Sequence, residues 1–213
     1  MEKHALRDEG IVSILVAVAF TVILYLIYLP LMVLGLGLII FILYFFRDPK
    51  REIVQDETII YAGCDGTVVE IKDIVEDRFF HGPAKAIHIF MSPANVHVNR
   101  APISGRVAYT HYQKGKFVPA TRENCYEVNE RNYIGFENDK MKVLIVQVAG
   151  IMARRVVSWV TTNQNVQQGD KVGMIKFSSG TQHMLPIDVE VLVKPGDTVQ
   201  AGITPIGKVL QCK

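Results

Sequence analysis

The sequence predicts a mainly β protein: a compact sandwich- or barrel-like domain behind an N-terminal transmembrane or re-entrant helical hairpin. Three observations predict it. Residues 11–46 carry no charged side chain. The remainder alternates short Val-, Ile-, Tyr- and Thr-rich runs with Gly, Pro, Asn and Asp, the pattern of strands and turns. Two segments, Val166-Gln-Gln-Gly-Asp-Lys-Val172 and Val193-Lys-Pro-Gly-Asp-Thr-Val199, repeat a glycine turn that feeds a valine-rich strand.

A single membrane span needs about 20 apolar residues. The apolar run is nearly twice that, with Pro30 close to its middle. Proline lacks an N–H and clashes with the preceding helical turn, so Leu29-Pro30 is read as the turn between two short spans. Lys3 and Arg7 precede the run, and Arg47, Lys50 and Arg51 follow it. Two basic ends predict that both lie on the cytoplasmic face of the cell membrane. A cleaved signal peptide would have a far shorter apolar core; a hairpin buried in a soluble fold is the other reading. The expected division is a membrane-anchoring hairpin over 1–47 and a β-rich unit over 48–213.

Lys and Arg number 23 against 21 Asp and Glu, a net charge of +2, with no basic patch interleaved with aromatics. Nucleic-acid binding is therefore not expected. Cys64, Cys125 and Cys212 are scattered and form no metal-binding spacing, which predicts reduced thiols and no metal. Strands are expected at 67–71, 86–90, 105–112, 133–138, 142–148, 171–177, 188–192 and 206–211, and a short helix at 151–157. The glycine-turn repeat also occurs in barrel-sandwich modules that carry a modified lysine at a hairpin tip, but no such tip is present. It supports a β sandwich or barrel without that function.

Several places could carry chemistry. Asp65 lies in Gly63-Cys-Asp-Gly66, which by itself reads as a turn. His97 lies in a polar segment bounded by Pro93 and Pro102; it is either a core histidine or a proton carrier suited to neutral pH. Ser178 and Ser179, before Gly180, read as an ordinary loop or as a nucleophile on a sharp turn, and they do not form a G-x-S-x-G elbow. Arg154 and Arg155 are either a solvated helix face or a phosphate contact.

Taken together, Asp65-Gly-Thr-Val-Val-Glu70, Phe90-Met-Ser-Pro-Ala-Asn-Val-His-Val-Asn-Arg-Ala-Pro102, Asn129-Glu-Arg-Asn132, Val148-Ala-Gly-Ile-Met-Ala-Arg-Arg155 and Gly173-Met-Ile-Lys-Phe-Ser-Ser179 resemble the short, prokaryotic type of phosphatidylserine decarboxylase proenzyme. The resemblance covers essentially the whole chain, including the hairpin and Phe46-Arg-Asp-Pro49. It implies a chain that cuts itself between Ser178 and Ser179, with Ser179 as nucleophile, His97 as base and Asp65 orienting His97. Residue 179 then becomes a pyruvoyl cofactor, an electron sink for decarboxylation of a phospholipid substrate at a membrane. The resemblance further implies a homodimer, and Asn95, Asn99, Arg100, Arg154 and Arg155 as contacts for the substrate's carboxylate or phosphate. Two positions depart from the family. Ser178 stands where glycine is usual, which keeps open a homologue that does not mature. Arg100 stands where long-form members have a second histidine, so His97 would serve both steps. An ether lipid bearing phosphoserine offers the same head group.

Overall fold

The computed structural model describes residues 4–118, 125–150, 155–176 and 179–209. It divides into two compact units, Met1–Lys50 and Arg51–Lys213.

In the first unit a π-helical segment, Ala5–Gly10, leads into helix α1 (Ile11–Ile27). A 3₁₀ turn at Leu29–Leu31 joins it to helix α2 (Met32–Phe45). Tyr28 is extended (φ −162°, ψ 117°), and Pro30 falls in the first turn of the 3₁₀ segment, where its missing N–H costs no internal bond. The two helices pack on each other at Gly35, where a Cβ would lie 2.3 Å from Thr21 Oγ1. A residue without a side chain at this crossing lets the two helix backbones approach closely. α1 has 17 residues and α2 has 14. Among the described residues no helix is long and apolar enough to cross a membrane.

The second unit is mainly β. In chain order its elements are β1 (Ile59–Tyr61), β2 (Gly66–Glu76), β3 (Gly82–Met91), β4 (Val98–Arg100), β5 (Gly105–Gln113), the short helix α3 (Cys125–Val128), β6 (Arg131–Glu137), β7 (Lys142–Ala149), β8 (Arg155–Ser158), β9 (Asn165–Val166), β10 (Lys171–Lys176), β11 (Ser179–Pro186), β12 (Glu190–Val191), β13 (Thr198–Val199) and β14 (Pro205–Lys208). Eight strands form one curled sheet in the order β13-β2-β3-β11-β7-β6-β5-β9, a half-barrel. Two three-stranded sheets, β4-β10-β8 and β1-β14-β12, complete the unit. The pairings between these strands are antiparallel.

Strand alternation sorts the side chains into two clusters. Ile87, Ile89 and Met91 of β3, Ile145 and Ala149 of β7, and Leu185 of β11 join Ile60, Val172 and Ile206 in the main core. Leu144, Val146, Val148 and Met184 face the other way and meet Phe79 and Tyr133. Phe79 is carried there by the turn after β2, where the Glu76 carboxylate accepts the N–H groups of Arg78, Phe79 and Phe80 at 2.7–2.8 Å. The middle of the large sheet is thus covered on both faces, and β7 is buried over seven consecutive positions.

The two glycine-turn repeats form one kind of turn. Asp170 Oδ2 accepts the Gln167 N–H at 2.8 Å, and Asp197 Oδ2 accepts the Lys194 N–H at 2.9 Å. Gly169 and Gly196 take positive φ (88° and 96°), the region glycine enters without steric cost. The expected helix at 151–157 is corrected in its last three residues: Arg155–Ser158 is strand β8, paired with β10 from Lys176↔Arg155 to Gly173↔Ser158. Valines at 156 and 157 suit a pleated surface better than a helix. Positions 151–154 lie outside the described residues.

Candidate active site

Position 179 is the first residue of β11, the strand at the centre of the large sheet. Its register partners are Met91 at the end of β3 and Ala149 at the end of β7. Position 179, read from sequence as part of an ordinary loop or of a sharp turn bearing a nucleophile, is therefore the head of a strand paired on both sides. Ser178 lies outside the described residues. The strand end at Ala149 is pinned: its N–H donates to the Glu130 carbonyl at 2.9 Å, and its carbonyl accepts from Asn129 Nδ2 at 2.7 Å. Next to position 179, a Cβ on Gly180 would lie 2.8 Å from the Tyr126 hydroxyl. Only glycine leaves that approach unstrained.

His97 follows the end of β3 through a turn. Asn95 Oδ1 accepts the Ser92 N–H at 2.8 Å and the Ser92 hydroxyl at 2.7 Å, a side-chain-closed turn compatible with Pro93. His97 is fully buried, and its Nδ1 lies 3.0 Å from the Asn95 carbonyl. A carbonyl can only accept, so Nδ1 carries a proton, and in the neutral ring the lone pair is on Nε2. That is the tautomer a base requires.

Asp65 does not make the expected bond to His97 among the described residues. Arg51 forks onto it, NH1 to Oδ1 at 2.7 Å and NH2 to Oδ2 at 2.8 Å, and the Ala201 N–H adds a bond to Oδ1 at 2.9 Å. Both carboxylate oxygens are occupied by charge-assisted or backbone donors, and a bidentate arginine pair outweighs a single imidazole contact. The orienting contact on His97 comes instead from a backbone carbonyl two residues away. Asp65 reaches the histidine segment through the backbone: the Gly63 carbonyl accepts the Arg100 N–H at 2.9 Å and Asn99 Nδ2 at 3.3 Å.

Asn99 and Arg100, expected as substrate contacts, make bonds inside the fold. Asn99 is fully buried, and Arg100 donates from NH1 to the Gly169 carbonyl at 2.9 Å. These internal bonds brace β4. Asn95 closes its turn, Arg155 is exposed at the head of β8, and Arg154 lies outside the described residues.

A buried polar chain underlies the site, and its linkage through Gln147 and His183 was missed from sequence. Asn132 Nδ2 donates to Gln147 Oε1 at 2.8 Å, and Gln147 Nε2 donates to Asn99 Oδ1 at 2.8 Å. Asn99 bonds Gly63, whose N–H donates to His183 Nε2 at 2.7 Å. By strand alternation positions 179, 181 and 183 share a face, so the chain ties the face of β11 that includes 179 to the segments bearing Asp65 and His97. Burial holds His183 down at about 3 and therefore neutral, which suits it to accept from a backbone N–H. Gln147, a lone amide in Lys142-Val-Leu-Ile-Val-Gln-Val-Ala149, was the available signal. Asn129 and Asn132 lie in the Asn129-Glu-Arg-Asn132 motif, whereas Arg51 and Tyr126 gave no signal that separates them from ordinary surface or turn residues.

A family model described as phosphatidylserine decarboxylase matches residues 38–207. The chain is similar to proteins named phosphatidylserine decarboxylase proenzyme in three bacteria. The protein of Carboxydothermus hydrogenoformans is 46% identical over 173 residues, 81% of each chain. That of Symbiobacterium thermophilum is 40% identical over 212 residues, 99% of each chain. That of Prosthecochloris aestuarii is 44% identical over 184 residues, 86% of this chain and 84% of the relative. With most of its length matched at such identity, and with position 179 at the head of the central strand beside the turn that carries His97, the chain belongs to the phosphatidylserine decarboxylase family.

Proposed function

We propose that this chain is a proenzyme that cuts itself between Ser178 and Ser179 and, with a pyruvoyl group made from Ser179, converts phosphatidylserine to phosphatidylethanolamine. The observation that carries the reading is the backbone of position 179, fixed between Met91 and Ala149 one turn of chain from a buried His97 whose Nε2 bears the lone pair. In the self-cleavage, His97 takes the Ser179 hydroxyl proton. The Ser179 oxygen attacks the Ser178 carbonyl carbon, and the peptide C–N bond breaks as an ester forms, the nitrogen taking a proton. Loss of the Cα proton of residue 179 expels the Ser178 carboxylate. Water then replaces the nitrogen, which leaves as ammonia, and a carbonyl remains at the head of β11.

The residues present fit such a group. The flanking strands hold the backbone of 179 and 180, and a Cβ on Gly180 would displace the Tyr126 hydroxyl. The carbonyl supplies an acceptor for the electron pair that remains when CO₂ leaves the substrate. His97 returns a proton to the substrate Cα. Asp65, held by Arg51, fixes the turn that braces β4.

The hairpin acts as a re-entrant anchor. Its helices are short, but Leu26, Val12, Val33, Leu34 and Ile40 are each at least 66% exposed, an apolar surface suited to lipid. The basic residues at both ends of the apolar run support a cytoplasmic orientation at the cell membrane. The functional protein is a homodimer, which crosslinking of the detergent-solubilised chain tests.

Intact mass of the purified protein tests the central reading. The expected products are residues 1–178 and a fragment of 179–213 blocked to N-terminal sequencing. Ser179→Ala should leave a single chain, and His97→Ala should slow the cut by about 10²–10⁴-fold, the usual contribution of a positioned base. A single uncut chain in the unaltered protein would refute the reading in favour of a non-maturing homologue.

A further inference from the structure

Lys114, Gly115, Lys116 and Phe117 follow β5 and are all exposed. The segment is anchored to the fold through Lys116 and Val118. Lys116 donates its N–H to the Val128 carbonyl at 2.7 Å and accepts the Glu130 N–H at 3.0 Å. Val118 donates its N–H to Asn129 Oδ1 at 2.9 Å and accepts from Asn129 Nδ2 at 2.8 Å. Phe117 lies between these two inward-bonded residues and is 38% exposed. Gly115 passes so close that a Cβ would lie 2.4 Å from the Asn129 carbonyl carbon.

Asn129 is also the residue that binds the Ala149 carbonyl, and Ala149 is the register partner of position 179. One buried side chain therefore fixes both the exposed segment and the strand end beside the reactive position. Tyr112, 48% exposed, and Arg155, exposed at the head of β8, share this neighbourhood, since Tyr112 interacts with both Glu130 and Arg155. Glu130 is buried, and Glu127 is the exposed acid of α3. Among the described residues this neighbourhood thus presents the exposed Lys114, Lys116, Phe117 and Arg155, with Glu127 as an exposed acid. Cations attract an anionic lipid surface, and an exposed aromatic ring partitions into the interface.

Resting on the reading above that the substrate is a bilayer lipid, we propose that the segment Lys114–Phe117 docks the catalytic unit onto the anionic bilayer surface. Phe117 enters the interface and Lys114 and Lys116 contact the head groups. The Asn129 clamp then sets the depth of position 179 relative to the lipid surface, independently of the hairpin.

The test uses the full chain carrying Phe117→Trp, reconstituted in vesicles whose acyl chains bear bromine, with the unaltered chain and its Trp159 as background. On phosphatidylglycerol vesicles the added tryptophan should shift to the blue and be quenched. Both effects should be lost in about 1 M salt, where the Debye length falls to about 3 Å, and in Lys114→Glu/Lys116→Glu. Phosphatidylcholine vesicles should give little of either. Emission that stays unquenched on phosphatidylglycerol, or quenching indifferent to lipid charge and to charge reversal, would overturn the proposal. Tyr112→Trp repeats the measurement should Phe117→Trp fail to fold. Intact mass of the same samples reports self-cleavage separately, so an uncut chain would sink the decarboxylase reading while the quenching still decides this one.

Discussion

Arg51→Met tests how the site is held together. The Arg51 and Asp65 side chains are 6% and 11% exposed, and the substitution removes three arginine bonds: two to Asp65 and one of 2.7 Å to the Ala201 carbonyl. The Asp65 carboxylate would keep only the Ala201 N–H. Breaking a buried pair by removing one partner costs about 3–5 kcal/mol, because the other charge is left without compensation. For a unit the size of residues 51–213, about 2–4 °C of melting temperature accompanies each kcal/mol, so a fall of about 10 °C is expected. The assay is thermal unfolding of the detergent-solubilised Ser179→Ala precursor, in which the chain stays single. Arg51→Met combined with Asp65→Asn should recover more than half of the loss, since no orphan charge remains, and Arg51→Lys should lose less than Arg51→Met. A loss under about 1 kcal/mol, or a double variant no better than the single one, would refute the claim that this pair secures the Asp65 turn.

Gly63→Ala should both destabilise the fold and slow self-cleavage, because the new Cβ would lie 2.4 Å from Ile145 Cδ1 and 2.8 Å from His183 Nε2; overpacking of this kind costs about 1–3 kcal/mol, read as the denaturant midpoint beside the rate of fragment appearance. Burial holds His183 at about 3, and burial followed by the Lys72 charge holds His88 at about 4. An unfolded histidine titrates near 6.5. The unfolded state then binds more protons between these values, so stability should fall as pH drops from about 6.5 toward about 4, with no contribution from these groups above that window. Urea midpoints against pH check this, and a His88→Gln variant with an undiminished acid slope would contradict it.

Most of the sheet was legible because its strands obey period-2 alternation. Residues 142–148 and 133–138 were placed within one or two positions, and the repeated Asp-closed turns were visible as a motif. Strand β11 was not legible. Its residues, Ser179-Gly-Thr-Gln-His-Met-Leu-Pro186, put a glycine under Tyr126 and a histidine in the core, so local propensity argues for a loop while pairing on both sides makes a strand. His97 stands out in the sequence by its polar surroundings. Its partner does not, because the bond comes from a backbone carbonyl, and every residue carries one. Arg51 looked like the basic flank of the apolar run. Only the fold brings it onto Asp65, fourteen positions along the chain.

The central position of β11 has a consequence for the history of each molecule. Before the cut, β11 finds its neighbours β3 and β7 within one chain, at the effective concentration of a tethered segment, about millimolar for a short flexible link. After the proposed cut, the same strand belongs to a second polypeptide, and recovery from unfolding becomes a bimolecular encounter that fails on dilution. The precursor would then serve as a single-use template for assembly, and a mature molecule that once loses its shape could not retrace the route by which it was made.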